Sequence, residues 1–224
     1  MSTLKAPRTK APRTNGPRTQ VERSERTQKK LIDATIDIII SEGISRVRVQ
    51  KIAQRAGVSS GALQHHFNTK EDLLYQAHDR IFYDVTVPLD IDGSRKSLRE
   101  RCRSAVETYW NIYSQSSYRA TLEILLYSRV EPELRRRVDQ HQKETIARGL
   151  RLFERLFVGY GLSRGTLEDM LLYTLSHLRG LSVQCLFELA PRQVGRQLDI
   201  AEQTLCDMVE AARSPAVADE SGPP

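Results

Sequence analysis

An all-α chain built as a small head and a larger helical body is what the 224-residue sequence predicts. Three observations carry that expectation. Apolar residues recur at helical spacing along most of the chain, and no stretch shows the alternation of a strand. The stretch from Ile52 to Lys70 reads as two short helices about a glycine turn, followed by the capped start of a third. Positive charge is gathered toward the N-terminal end. The expected division is a disordered basic arm over 1–22, a three-helix head over 23–74, a helical body over 75–213 and a disordered tail over 214–224.

The arm contains one five-residue unit three times, Ala6–Lys10, Ala11–Asn15 and Gly16–Gln20, each with Pro, Arg and Thr in its centre. Such a proline-rich, basic and apolar-poor run cannot offset its ordering entropy by burial. Arg8, Arg13 and Arg18 suit insertion into a narrow minor groove; a solubilising tail is the other reading. The first helix follows from Ser24 to Gly43, with Leu31, Ala34, Ile38 and Ile39 on one face. The next starts near Val47 or Arg48, and Ile52, Ala53 and Ala56 line its inner side. Gly57 follows its last residue, where a left-handed backbone costs glycine little. Val58 plugs the corner and Ser59 caps the third helix.

Leu63 and Phe67, four apart, are the inward face of that third helix. Ser60, Gly61, Ala62, Gln64 and His65 fall outward. Small residues permit close approach to base edges, and Gln64 and His65 can hydrogen-bond them. Thr69 with Asp72 resembles a capping box for the following helix. Lys70 stands beside that helix start, where a phosphate meets an ammonium and free N–H groups together. An ordinary helical hairpin would also use a glycine turn, but the helix upstream makes this a three-helix unit.

Residues 26–74 resemble the DNA-binding domain of the TetR family of bacterial regulators. The match lies in Leu31, Ile32, Ala34, Gly43, Val49, Ile52, Ala53, Ala56, Gly57, Val58, Ser59, Gly61, Leu63, His66, Phe67, Lys70, Glu71, Leu73 and Leu74. The resemblance implies DNA contacts from Arg46, Arg48, Ser59, Ser60, Gly61, Ala62, Gln64, His65, His66, Thr69 and Lys70. Two positions depart from the family pattern. Gln64 stands where the family usually has tyrosine, which allows base reading. Arg48 stands where a threonine usually caps the second helix; it reaches a phosphate instead.

Charge agrees. The net +6 divides into +5 over residues 1–21, nine basic against five acidic residues over 22–70, and twenty basic against twenty-three acidic over 71–224. Positive potential at the DNA-facing end is what nucleic-acid binding needs, and affinity should fall steeply with salt.

The body is expected as helices over Thr69 to about Val87, Ser94 to about Ser114, Ser117 to Arg129, Glu131 to about Val158, Ser163 to about Glu188, and a last one to about Arg213. Leu98, Cys102, Ala105, Val106, Tyr109 and Tyr113 face inward on the second of these. The resemblance implies that the body binds a small organic effector. Trp110, Tyr113, Leu126, Tyr127, Met170, Tyr173 and His177 are the candidate lining, because they combine apolar surface with polar tips; plain core packing explains each of them too. Two stripes, Leu167–Leu171–Leu175–Leu178–Cys185 and Val194–Leu198–Ala201–Leu205–Val209, suit the four-helix-bundle homodimer the resemblance implies.

Other chemistry is thin. Cys102, Cys185 and Cys206 have neither zinc spacing nor a disulfide pattern and read as buried reduced thiols of a cytosolic protein. No catalytic or metal-binding motif occurs, so neither an enzyme nor a cofactor is expected. No apolar run approaches the roughly 20 residues that span a membrane. Arg135-Arg136-Arg137 reads as a solvated helix face. The expected function is a cytoplasmic, homodimeric regulator that binds a palindromic double-stranded DNA operator and is relieved by a small molecule. The alternatives are an activator or partner-controlled regulator of the same fold, and, in another class, a helical carrier or enzyme.

Overall fold

The computed structural model describes residues 19–86 and 94–213, and among them all regular structure is helical. The head holds α1 (Gln20–Glu42), one 3-10 turn (Ile44–Arg46), α2 (Val49–Ala56), α3 (Ser60–His66) and α4 (Lys70–Thr86). The body holds α5 (Leu98–Tyr113), α6 (Ser116–Tyr127), α7 (Pro132–Leu156), α8 (Arg164–Gln184) and α9 (Pro191–Arg213).

Local chemistry sets the helix starts. Thr19 and Glu22 form a capping box, with the Thr19 N–H donating to Glu22 Oε2 at 3.0 Å and the Glu22 N–H to Thr19 Oγ1 at 3.3 Å. The last copy of the arm repeat therefore ends inside a helix. α1 begins at Gln20, within the segment assigned to the arm and four residues before Ser24, because Thr19 and Glu22 satisfy otherwise free N–H groups. Residues 1–18 and 214–224, where arm and tail were expected, lie outside the described residues, as do residues 87–93. Ser97, not Ser94, caps α5, through the same reciprocal bonding with Glu100. Pro132 opens α7 and Ser163 caps α8.

Two cores result. Cys102, Tyr109, Tyr113, Phe153, Met170, Leu178, Leu205 and their neighbours on α5, α7, α8 and α9 form the body core. Arg101 is buried beside it, and its guanidinium donates to the carbonyls of Leu156 and Val158 at 3.0 and 2.7 Å. It thereby satisfies carbonyls at the end of α7, where the helix dipole favours a cation. The second core gathers Leu31, Ile38, Ile52, Leu63, Phe67 and Leu74 of the head, and takes in Ala120, Ile124, Leu134 and Val138 from α6 and α7. The expected boundary after residue 74 thus falls inside α4, which crosses from head to body without a linker.

Most of the expected dimer stripes is turned into the core, with Cys185 exposed and Val194 and Leu198 half-buried. Leu167, Leu171, Leu175 and Leu178, like Ala201, Leu205 and Val209, are buried within the single chain. α8 is apolar on more than one side, and its richest stripe goes to its own core. The outward side carries Leu172, Ser176, Gly180 and Val183, and ends at Phe187, which is 75% exposed. On α9 the exposed large apolar residue is Ile200.

Candidate functional site

The turn between α2 and α3 is built as its residues demand. Gly57 takes φ 67° and ψ 40°, a left-handed backbone that a side chain would strain. The N–H of Val58 donates to the Ala53 carbonyl at 3.0 Å, which closes the end of α2. Ser59 Oγ accepts from the Ala62 N–H at 3.1 Å and starts α3. Leu63 and Phe67 are buried, so α3 is anchored by one side alone.

The opposite side is free. Ser59, Ser60, Gly61, Gln64 and His65 are exposed, Ala62 and His66 are half-buried, and Arg46, Arg48 and Thr69 stand exposed around them. A Cβ placed on Gly61 would meet nothing nearer than Ser59 Oγ at 4.0 Å. Internal packing therefore does not require glycine there, although glycine weakens a helix. Arg48 occupies the N-cap of α2 in extended backbone and makes no side-chain capping bond, so its guanidinium is left to the surface. Glu42 is engaged by Lys51 and, at 3.0 Å, by Arg55. The hydrogen bond from Lys51, reinforced by the charges of Lys51, Arg55 and Arg46, holds the Glu42 carboxyl below the usual range. Arg8, Arg13 and Arg18 lie outside the described residues.

The start of α4 joins this surface to the body. Thr69 and Asp72 form the reciprocal cap, with the Thr69 N–H donating to Asp72 Oδ2 at 3.2 Å and the Asp72 N–H to Thr69 Oγ1 at 3.0 Å. Lys70 Nζ sits 4.7 Å from the centre of the Tyr127 ring on α6. Asp72 Oδ1 accepts from Arg137 of α7 at 2.7 Å, and the same guanidinium lies 3.8 Å from the centre of the Tyr75 ring. Arg137 is thus not part of a solvated face, unlike Arg135 and Arg136, which are exposed and pair along their own helix. Glu123 of α6 accepts from the Ile44 N–H at 2.6 Å, in the turn that precedes α2. Neither Glu123 nor Arg137 carries a local signal of this role, since their partners lie 79 and 65 residues away in sequence.

The seven candidate ligand-lining residues are scattered rather than convergent. Trp110 and Tyr113 border one pocket of about 180 Å³ between α5, α6 and the end of α8, together with Arg119, Ser182, Cys185 and Leu186. Cys185 is exposed there, against the expectation of three buried thiols, because α8 gives way to a 3-10 turn at that residue. Met170 is sealed in the body core. Tyr173 stacks on His177, whose Nε2 lies 3.2 Å from the Gln197 carbonyl, on the α8–α9 side. Leu126 is 63% exposed, and Tyr127 belongs to the junction under Lys70. No group of three or more metal-ligating side chains occurs among the described residues, and no described helix is long and apolar enough to cross a membrane.

Residues 31–77, which span α2, α3 and the turn between them, match the family model for bacterial regulatory proteins of the tetR family. These residues form a DNA-binding domain of the tetR family. The chain is 28% identical over 177 residues to the HTH-type transcriptional regulator CymR of Pseudomonas putida, covering 75% of this chain and 83% of that one. It is 27% identical over 146 residues to the HTH-type transcriptional regulator BetI 1 of Chromohalobacter salexigens, covering 55% and 72%. Among solved structures, a transcriptional regulator from Rhodococcus superposes with a TM-score of 0.67 at 18% identity, over 84% of this chain and 98% of that one. This chain is therefore a DNA-binding transcriptional regulator with an N-terminal helix-turn-helix and a C-terminal helical domain, and the tetR family is not one of enzymes.

Proposed function

We propose that this regulator is a homodimeric repressor that grips a palindromic operator and lets go when a small organic effector enters its body. The observation that carries the DNA half is the split character of α3. Leu63 and Phe67 are buried, while Ser60, Gly61, Gln64 and His65 stand outward with no internal demand on them. Such a helix enters a major groove, with Gln64 and His65 at base edges and Lys70, Thr69, Arg46 and Arg48 at flanking phosphates. Arg8, Arg13 and Arg18 of the arm extend the grip along the minor groove.

The dimer face is the outward side of α8 and α9 rather than the stripes buried in the core. Leu172, Val183, Phe187 and Ile200 are exposed there, and Ser176 and Gly180 let a second helix pair approach closely. Two recognition helices held so meet successive major grooves about 34–36 Å apart. Effector relief is a coupling free energy, in which the ligand prefers a body conformation whose heads no longer match that spacing. Glu123, Arg137 and Tyr127 are polar body side chains that touch the head, beside the apolar contacts of Ala120, Ile124, Leu134 and Val138, and carry the coupling. The protein acts in the bacterial cytoplasm, on the nucleoid when bound.

Gel shifts with the DNA upstream of the chain's own gene test the reading, together with sedimentation of the free protein. Sequence-specific, salt-sensitive binding by a dimer is expected. A monomer at micromolar concentration, or binding indifferent to sequence, refutes it.

A further inference from the structure

Arg179 lies on α8 in the middle of the body, half-buried, yet no carboxylate among the described residues pairs with it. Its Nε donates to the Tyr113 hydroxyl at 3.2 Å, and its guanidinium stands 5.4 Å from the centre of the same ring. Tyr109 and Tyr118 complete the group, with ring centres 6.1 and 4.5 Å from that of Tyr113. Burial pushes all three phenols up, so they face the arginine as neutral hydroxyls. Two other withdrawn arginines are well satisfied. Arg101 holds three carbonyls, and Arg137 holds Asp72. Arg179 has only a phenol, which leaves most of a five-donor fork unused and the charge uncompensated.

Tyr113 is shared between this arginine and the pocket of about 180 Å³. Residues 179 and 182 lie on one side of α8, and Ser182 lines that pocket together with Leu186 of the 3-10 turn that follows. Arg119 stands on its α6 wall, the Trp110 ring closes the α5 side, and none of its lining residues is acidic. The volume is close to that of an engineered cavity of about 150 Å³ that holds benzene. Trp110, hydroxyl groups and the Arg119 guanidinium in a lining without acid, with Arg179 behind the shared Tyr113, call for a molecule with a short apolar body and a carboxylate.

The geometry points to a small organic carboxylate as the effector class, bound beside Trp110 and Tyr113 with its anionic end toward Arg179 and Arg119. This rests on the body being the effector-binding part of a ligand-controlled regulator. In the bound state Arg179 trades its single phenol contact for a charge-assisted fork–carboxylate pair. Tyr113 is thereby released from Arg179, and α5 and α8 can settle differently against each other.

Trp110 is the single tryptophan of the chain, so its fluorescence reports the pocket directly. The full-length protein is titrated with benzoate, phenylacetate and hexanoate, and in parallel with the corresponding amides, which keep shape and lose charge. Fluorescence and the thermal midpoint are both read. At least one acid should saturate the Trp110 signal and raise the midpoint, with its amide weaker by about tenfold or more. Arg179→Gln should erase the preference of acid over amide; Arg179→Lys, which keeps the charge without the fork, should retain part of it. Circular dichroism shows whether each variant folds, and the lysine variant decides alone if the glutamine variant does not. Equal binding of acid and amide, no response to any acid, or an unchanged preference in the variants overturns the assignment. A gel shift without ligand is run on the same preparation. Loss of specific DNA binding there strikes the regulator reading, whereas intact DNA binding with no acid preference strikes only the carboxylate.

Discussion

Replacing Gly61 by alanine should make this protein more stable and a poorer DNA binder. Gly61 is the second residue of α3, a helix of seven residues. An alanine Cβ would have only Ser59 Oγ near it, at 4.0 Å, so no overpacking term arises. Relative to alanine, glycine costs a helix roughly 0.5–1 kcal/mol, mostly through the freedom it keeps when unfolded. That gain corresponds to a thermal midpoint higher by about 1–4 °C for a chain of this length. The added methyl points to the side where a base edge must come close, so operator affinity should fall by about tenfold or more at fixed salt. Calorimetry and gel shifts on one preparation read both quantities. A raised midpoint with unchanged affinity would show that α3 does not bring residue 61 to the DNA. A lowered midpoint would refute the packing argument itself.

Gly57→Ala should act oppositely. The left-handed backbone at φ 67° strains a side chain although nothing lies within 4 Å, so denaturant titration should show a loss of about 1–2 kcal/mol. Glu123→Ala removes the acceptor of the Ile44 N–H and should cost about 1–3 kcal/mol, with faster hydrogen exchange at that amide and Glu123→Gln intermediate; unchanged exchange would deny the head–body tether. His78 is fully buried, both its ring nitrogens lack a partner, and burial together with nearby His141 lowers its pKa to about 3. Its folded form stays neutral while the unfolded chain takes up a proton below about pH 6.5, so stability is full at neutral pH. It is lost as pH falls, by about 1.4 kcal/mol per unit between those two values; His78→Phe should flatten this slope in acid denaturation. In binding assays across operator variants, Gln64→Ala should relax preference at one base position, whereas Lys70→Ala should weaken all sequences alike and lower the salt slope by about one.

Much of the site was legible before any coordinates because its signals are local. Gly57, Ser59, Leu63 and the Thr69–Asp72 cap act within one turn of chain, and each does in the structure what its position predicts. Arg48 likewise leaves its helix uncapped. The repeat in the arm misled at its edge, since Thr19 and Glu22 start α1 at Gln20, the last residue of the last copy. The Arg135–Arg137 run misled at its third member, because an exposed charge and one aimed at a distant carboxylate look alike in sequence.

By itself the sequence determined an all-helical class, the order of its helices, and a third helix with one buried and one bare side. Those follow from periodicity, caps and the special backbone of glycine, all set by near neighbours. Only the tertiary structure decided which stripe of α8 meets its own core and which is left exposed. It also separated the seven candidate lining residues and placed Arg179 among tyrosines without an acid. Helical periodicity says which residues share a face, but not what that face will meet. That depends on side chains brought together from dozens of residues apart, where chain geometry rather than local preference chooses the neighbour.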